Sequence, residues 1–261
     1  MEVELKGLSA LITGASRGLG KSIAVEFGRA GANIVIVGRD REALGQTARE
    51  ASAAGAPAVE IHQSDLTDPQ AADKAVKATV ERFGRLDVLV NCAGDTKRGS
   101  FFDLTDADWA DGYALKFHGC VRLCREAWPH LAERRGAIVN IVGVGSKTPS
   151  RDFTIGGSVN SALLNFTKAL ADLGIKQGVR VNAVNPGFFD TDRLTRKIDT
   201  YIGSTGGSRQ QAEAEILSSL KIDRFGKPEE VAALSVFLAS SHATYIHGAT
   251  IDIDGGATRG L

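Results

Sequence analysis

Short runs of apolar residues recur along the chain and alternate with stretches whose apolar positions repeat at helical spacing. The strand-like runs cover 9–13, 33–37, 58–63, 86–91, 137–142, 180–185 and 250–254. Most are unbroken Val/Ile/Leu runs, the pattern of strands covered on both faces. Helical patterns fall between them at 21–29, 41–54, 69–83, 106–131, 155–173 and 228–239. Strands interleaved with helices in this way predict an α/β fold: a Rossmann-like, doubly wound three-layer sandwich around a parallel sheet of about seven strands. No linker or repeat divides the chain, so 1–261 reads as one domain. One stretch breaks the rhythm. Residues 190–225 form a long insertion that includes the flexible run Gly203, Ser204, Thr205, Gly206, Gly207, Ser208, flanked by short helical pieces. Insertions at the carboxyl ends of such strands often cover a ligand crevice, so 190–225 is expected to be a substrate lid, a plain surface excursion being the alternative.

Charge and composition narrow the classes. Lys plus Arg and Asp plus Glu both number 31, so nothing in the bulk charge draws the chain to nucleic acid or to an anionic membrane. No apolar run reaches the ~18 residues of a membrane span, and the start of the chain lacks the apolar core of a leader. Cys92, Cys120 and Cys124 have neither disulfide-framework nor zinc spacing, which points to a reducing, cytoplasmic setting; the latter two, at i and i+4, are expected in the core. The five histidines lack metal-ligand spacing, and no metal is expected.

The first candidate chemistry lies in Thr13-Gly14-Ala15-Ser16-Arg17-Gly18-Leu19-Gly20, between a strand and a helix. Glycines let the backbone turn sharply and approach a pyrophosphate, and the helix start offers free N–H groups to it. The spacing Gly-x3-Gly-x-Gly resembles the short-chain dehydrogenase/reductase family, and the resemblance continues along nearly the whole chain. Asp65-Leu66-Thr67 looks like the family's adenine-contacting segment. Asn91-Cys92-Ala93-Gly94 is similar to its Asn-Asn-Ala-Gly motif. Asn185-Pro186-Gly187 with Thr191 resembles the segment that holds the nicotinamide amide, and Ile251-Asp252-Ile253-Asp254-Gly255-Gly256 its final strand. The resemblance therefore implies cofactor contacts from Gly14, Ser16, Arg17, Gly18, Leu19, Gly20, Asp65, Leu66, Asn91, Ala93, Gly94, Pro186, Gly187 and Thr191.

Strand two ends in Gly38-Arg39-Asp40. Gly38 stands where an acid would normally accept the adenosine ribose hydroxyls, and Arg39 with Arg17 offers a clamp for a 2′-phosphate. NADP(H) is favoured over NAD(H); Asp40, as a ribose acceptor, keeps NAD(H) open.

The family's catalytic set is Asn, Ser, Tyr and Lys. Asn165-Phe166-Thr167-Lys168-Ala169-Leu170 resembles the end of its active-site helix, which sets Gly156 at the Tyr place and Asn160 at the Lys place. Asn140-Ile141 sets Gly143 at the Ser place, and Trp109 sets Lys116 at the Asn place. All four residues differ. Gly143 and Gly156 are expected to widen the crevice. Phe153, Gly156 and Asn160 would share a helix face and, with Gly143 and Phe188, line a pocket for a small, fairly apolar molecule. Asn160 retains the capacity to bind a ribose hydroxyl. Lys116 is the remaining candidate for acid, base or oxyanion chemistry. Tyr113 is a candidate phenol beside it, and Asp152 and Lys147 are accessory candidates.

Three readings stay open: an atypical NADP(H)-dependent oxidoreductase acting on a carbonyl or alcohol; a non-redox lyase or hydrolase using Lys116 on the same fold; and a nucleotide-binding pseudoenzyme. The helices at 106–131 and 155–173 resemble those of the family's subunit contacts, which implies a homodimer or homotetramer.

Overall fold

The structure, a computed structural model, describes residues 3–260; Met1, Glu2 and Leu261, the outermost residues of the expected single domain, lie outside the described residues. Seven strands form one parallel sheet: β1 (Ser9–Thr13), β2 (Asn33–Gly38), β3 (Val59–Gln63), β4 (Val88–Asn91), β5 (Ala137–Ile141), β6 (Arg180–Pro186) and β7 (Thr250–Ile253). Their order is β3-β2-β1-β4-β5-β6-β7. The direction of winding reverses between β1 and β4, and in such sheets ligands bind outside the carboxyl ends of the strands at that switch.

Adjacent residues of a buried strand face opposite layers, which explains the unbroken apolar runs. Ile12, Ile34, Ile36 and Val90 pack with helix α1 (Gly18–Arg29) and helix α9 (Pro228–Ala239) on one face. Leu11, Val35, Val37, Leu89 and Ile138 pack on the other with α3 (Ala71–Phe83), α5 (Cys120–Arg134) and α6 (Thr154–Gln177). Local chemistry fixes the helix starts. Asp40 accepts from Ala43 N at 3.0 Å to cap α2 (Arg41–Ala54). Thr105 and Asp108 form a capping box on α4 (Asp106–Tyr113), and Pro228 opens α9.

Two expectations are corrected. The helix expected at 106–131 is not continuous: α4 passes into a wider π turn at Ala114–Gly119 before α5 begins. The insertion at 190–225 carries two full helices, α7 (Asp192–Thr205) and α8 (Arg209–Leu220), so the run expected to be flexible from Gly203 is helical through Thr205. These helices share a small core of Leu194, Ile198, Ala212 and Ile216, with Phe188 packed against it. Among the described residues no helix is long and apolar enough to cross a membrane.

Candidate active site

The phosphate loop is built by close approach. Gly14 has φ +69°, and a Cβ there would lie 2.8 Å from Ala93 Cα; a Cβ on Gly20 would lie 2.2 Å from Gly14 O. Thr13 Oγ1 ties the same junction together, accepting from Cys92 N at 3.1 Å and Ala93 N at 3.2 Å. Helix α1 starts from Arg17 with no side-chain cap and no acid in its first turn. Those first-turn N–H groups therefore suit an anion. Thr191 comes to the same place from β6, its Cγ2 3.7 Å from where a Gly18 Cβ would stand.

Beside this loop lies a cavity of about 320 Å³ lined by Ser16, Arg17, Arg39, Asp40 and Ala43. Asp40 is engaged there as the α2 cap. Asp65 is held by Thr67 N at 3.0 Å and Thr67 Oγ1 at 2.9 Å, and lies 4.0 Å from Arg39. The Thr67 hydrogen bonds, and then Arg39, lower its pKa against the effect of burial. Leu66 differs: its side chain is buried in the core with α3 and α5, leaving only its backbone for a ligand. The Asn91 side chain also turns inward, with Nδ2 donating to Asn140 Oδ1 at 2.9 Å. Pro186 and Gly187 close the site along β7, Gly187 N donating to Ile253 O at 3.0 Å.

Lys116 sits in the middle of the π turn. Its stem crosses Gly94 so closely that a Cβ there would meet Lys116 Cδ at 2.8 Å, and its Nζ donates to Val142 O at 2.5 Å. Burial, and after it the Arg193 charge, press the Lys116 pKa down to about 7; Cys92, Cys120 and Asp95 act in the opposite direction. An amine poised near neutrality can give or take a proton at physiological pH. Its neighbour Cys92 is pushed up to about 12 by burial and remains a thiol.

Asn160 is 3% exposed. Its Nδ2 donates to Gly143 O at 3.4 Å, and its Oδ1 is buried without a partner. An orphaned buried acceptor is costly, and a ligand hydroxyl would satisfy it.

The expected widening at Gly156 is not found. Phe153 is not on the helix face with Gly156 and Asn160; it is the residue preceding α6, and its ring folds back over Gly156. A Cβ on Gly156 would fall 2.1 Å from Phe153 Cζ, so the ring fills the space that a side chain at 156 would need. Nor is the pocket rim apolar. The Arg98 guanidinium carbon stands 3.9 Å from the centre of the Phe153 ring, and Lys197 Nζ stands 4.0 Å from that of Phe188. Arg98, Arg193 and Lys197 were not foreseen. The only trace in the sequence is the one-turn spacing of Arg193 and Lys197 in the insertion.

The accessory candidates have structural partners. Lys147 is paired with Asp252 at 2.9 Å and Asp152 with Arg98 at 3.0 Å. Of the tyrosines, Tyr201 donates to Glu215, Tyr113 packs its ring edge-on against Phe117, and Tyr245 is fully exposed. Among the described residues no cluster of His, Cys, Asp and Glu is arranged to hold a metal.

A family model described as enoyl-(acyl carrier protein) reductase matches residues 14–258. The chain belongs to the short-chain dehydrogenase/reductase family. It is 32% identical over 256 residues to the 3-oxoacyl-(acyl-carrier-protein) reductase of Thermotoga maritima, covering 97% of this chain and 99% of that one. It is 33% identical over 248 residues to the meso-2,3-butanediol dehydrogenase of Serratia marcescens, covering 95% and 93%. Among solved structures, the L-sorbose reductase of Gluconobacter frateurii complexed with NADPH and L-sorbose is similar over the full length of both chains, with a TM-score of 0.95 and 32% identity. Short-chain dehydrogenase/reductase membership accounts for the strand order and for the meeting of the glycine loop with the Asn91–Gly94 and Pro186–Thr191 segments.

Proposed function

We propose that this protein is an atypical NADP(H)-dependent short-chain oxidoreductase that reduces a small carbonyl compound or oxidises the matching alcohol, using Lys116 where the family uses a phenol. Support for redox chemistry comes from the relatives, named as reductases and dehydrogenases, and from the NADPH complex of the sorbose reductase.

The residues present fit the cofactor. The N–H groups around Gly18, Leu19 and Gly20 would hold the pyrophosphate. Ser16, Arg17 and Arg39 would hold a 2′-phosphate, Asp40 being occupied as a helix cap. The orphaned Asn160 Oδ1 would accept from a ribose hydroxyl. Ala93, Gly94, Pro186, Gly187 and Thr191 would border the nicotinamide end. Asp65 and the Leu66 backbone would border the adenine. A bound nicotinamide supplies or accepts the hydride.

The observation that carries the reading is Lys116, with its pKa near 7, held between Gly94 and Val142 at the carboxyl end of the sheet. In reduction its ammonium donates a proton to the carbonyl oxygen as negative charge develops there. The neutral amine then recovers a proton from solvent. In oxidation the neutral amine takes the hydroxyl proton. Helices α7 and α8 would serve as the lid, and the exposed Phe101 and Phe102 suit a subunit contact in a homodimer or homotetramer.

Fluorescence titration with NADPH and NADH, followed by a carbonyl and alcohol panel on wild type and Lys116→Ala, tests the proposal. It expects NADPH binding in both proteins and a loss of about 10²–10⁴ in turnover in the variant. Failure to bind either nucleotide, or equal turnover by both proteins, would overturn it.

A further inference from the structure

The rim of the site carries more positive charge than its own carboxylates answer. Arg193 and Lys197 are one turn apart on α7 and so share a face. Arg98 approaches from the loop after β4, and Lys116 lies below in the π turn. Among the described residues two acids form ion pairs with them. Asp95 lies 3.6 Å from Arg193 with no hydrogen bond between them, and Asp152 is bound to Arg98 at 3.0 Å. Among the described residues Lys197 has no carboxylate within ion-pair distance and no hydrogen-bond acceptor; it rests on the Phe188 ring. The cations act on one another. Burial is the largest cause that lowers each pKa; beyond it, Asp95 supports the charge on Arg193 against Arg98 and Arg196, Arg98 disfavours that on Lys197 against a smaller support from Asp152, and Arg193 disfavours that on Lys116. Like charges held together at the mouth of a ligand site are relieved by an anion.

We propose that Arg193, Lys197 and Arg98 form a subsite for an oxyanion carried by the substrate, a carboxylate or a phosphate, so that the compound is an anionic carbonyl or alcohol rather than an apolar one. The inference rests on the function proposed above and names the substrate class for that site. The guanidinium groups present paired donors that suit carboxylate and phosphate oxygens. An anion held there also offsets the repulsion that Arg193 exerts on Lys116 and so favours the protonated donor.

The test separates binding from turnover. Binding of 3-hydroxybutyrate and its methyl ester, and of glycerol 3-phosphate and glycerol, is measured by calorimetry on NADPH-loaded protein. Wild type and the Arg193→Ala/Lys197→Ala variant are compared. The expected result is a preference of about 10–100-fold for at least one charged member over its neutral partner, collapsing to less than threefold in the variant. Which pair shows the preference distinguishes carboxylate from phosphate. Because the reading is a ratio within one protein, a general loss of fold does not mimic it; Arg193→Lys, which keeps the charge, retains most of it. Equal affinity for charged and neutral members in wild type, or a preference that survives the double variant, would overturn the subsite. Lys116-dependent turnover of neutral carbonyls together with that result would leave the proposed function standing. Selective anion binding with no turnover of any compound would fail the proposed function while upholding the subsite.

Discussion

The ring of Phe153 occupies the place from which a side chain at residue 156 would grow: a Cβ on Gly156 would stand 2.1 Å from Phe153 Cζ. The glycine at 156 and the seating of the Phe153 ring are a single packing solution. Gly156→Tyr must therefore drive the ring out. It is expected to destabilise the protein by about 1–3 kcal/mol, the usual cost of overpacking. Phe153→Ala added to Gly156→Tyr restores much of that loss. Urea unfolding of the three proteins measures this; a Gly156→Tyr midpoint equal to that of wild type would mean the ring is not seated there. A serine at residue 143 meets a second obstacle, since Gly143 has φ +126°.

Lys116 makes stability depend on pH. Folding lowers its pKa from an ordinary 10.5 to about 7. Between those values the unfolded chain holds a proton that the folded chain lacks, so the Lys116 contribution to stability rises with pH across the window. Below pH 7 both states are charged and the burial penalty is fully present. Lys116→Met is expected to melt a few degrees above wild type at pH 6, since about 1 kcal/mol moves Tm by about 2–4 °C in a chain this size. The gap should narrow toward pH 10. Thermal melts at several pH values check this, and a gap that does not change with pH would contradict it.

Arg39 is expected to discriminate between the two nicotinamide nucleotides. Arg39→Ala should weaken NADPH binding about tenfold, the share of one charge-assisted contact at an exposed site, and leave NADH binding within twofold. Fluorescence titration at two salt concentrations reads both constants. Equal weakening for both nucleotides would assign Arg39 to another part of the cofactor.

Asn160 carries a buried oxygen with no partner in the free protein. Asn160→Leu should therefore leave the free protein as stable as wild type or more so, while NADPH binding weakens by about 3–10-fold for one lost neutral hydrogen bond. Melts with and without NADPH separate the two effects. A variant that is less stable yet binds NADPH normally would make Asn160 a purely structural residue.

The sheet was legible because its strands are covered on both faces, so Leu11 and Ile12, or Val35 and Ile36, are both apolar although they enter different layers. The cofactor cradle was legible because close backbone approach at Gly14 and Gly20 demands glycine. Other features depend on where the backbone turns. The π turn that carries Lys116 has no residue signature, since Ala114–Gly119 reads as ordinary helix. Phe153 folds back from a loop, so its sequence distance from Gly156 suggested a shared face and not a filled gap. The electrostatic influence of Arg98 on Arg193 and Lys197 joins residues nearly a hundred positions apart through the placement of the insertion, which no local pattern encodes.

The pH dependence of kcat for NADPH-driven reduction, measured on the best carbonyl from a panel of neutral and anionic compounds in wild type and Lys116→Ala, tests the account most directly. Wild type should lose rate above about pH 7 as Lys116 gives up its proton, while the variant should be slower by about 10²–10⁴ and lack that inflection. No NADPH oxidation with any compound, or the same rate and pH profile in both proteins, would contradict it.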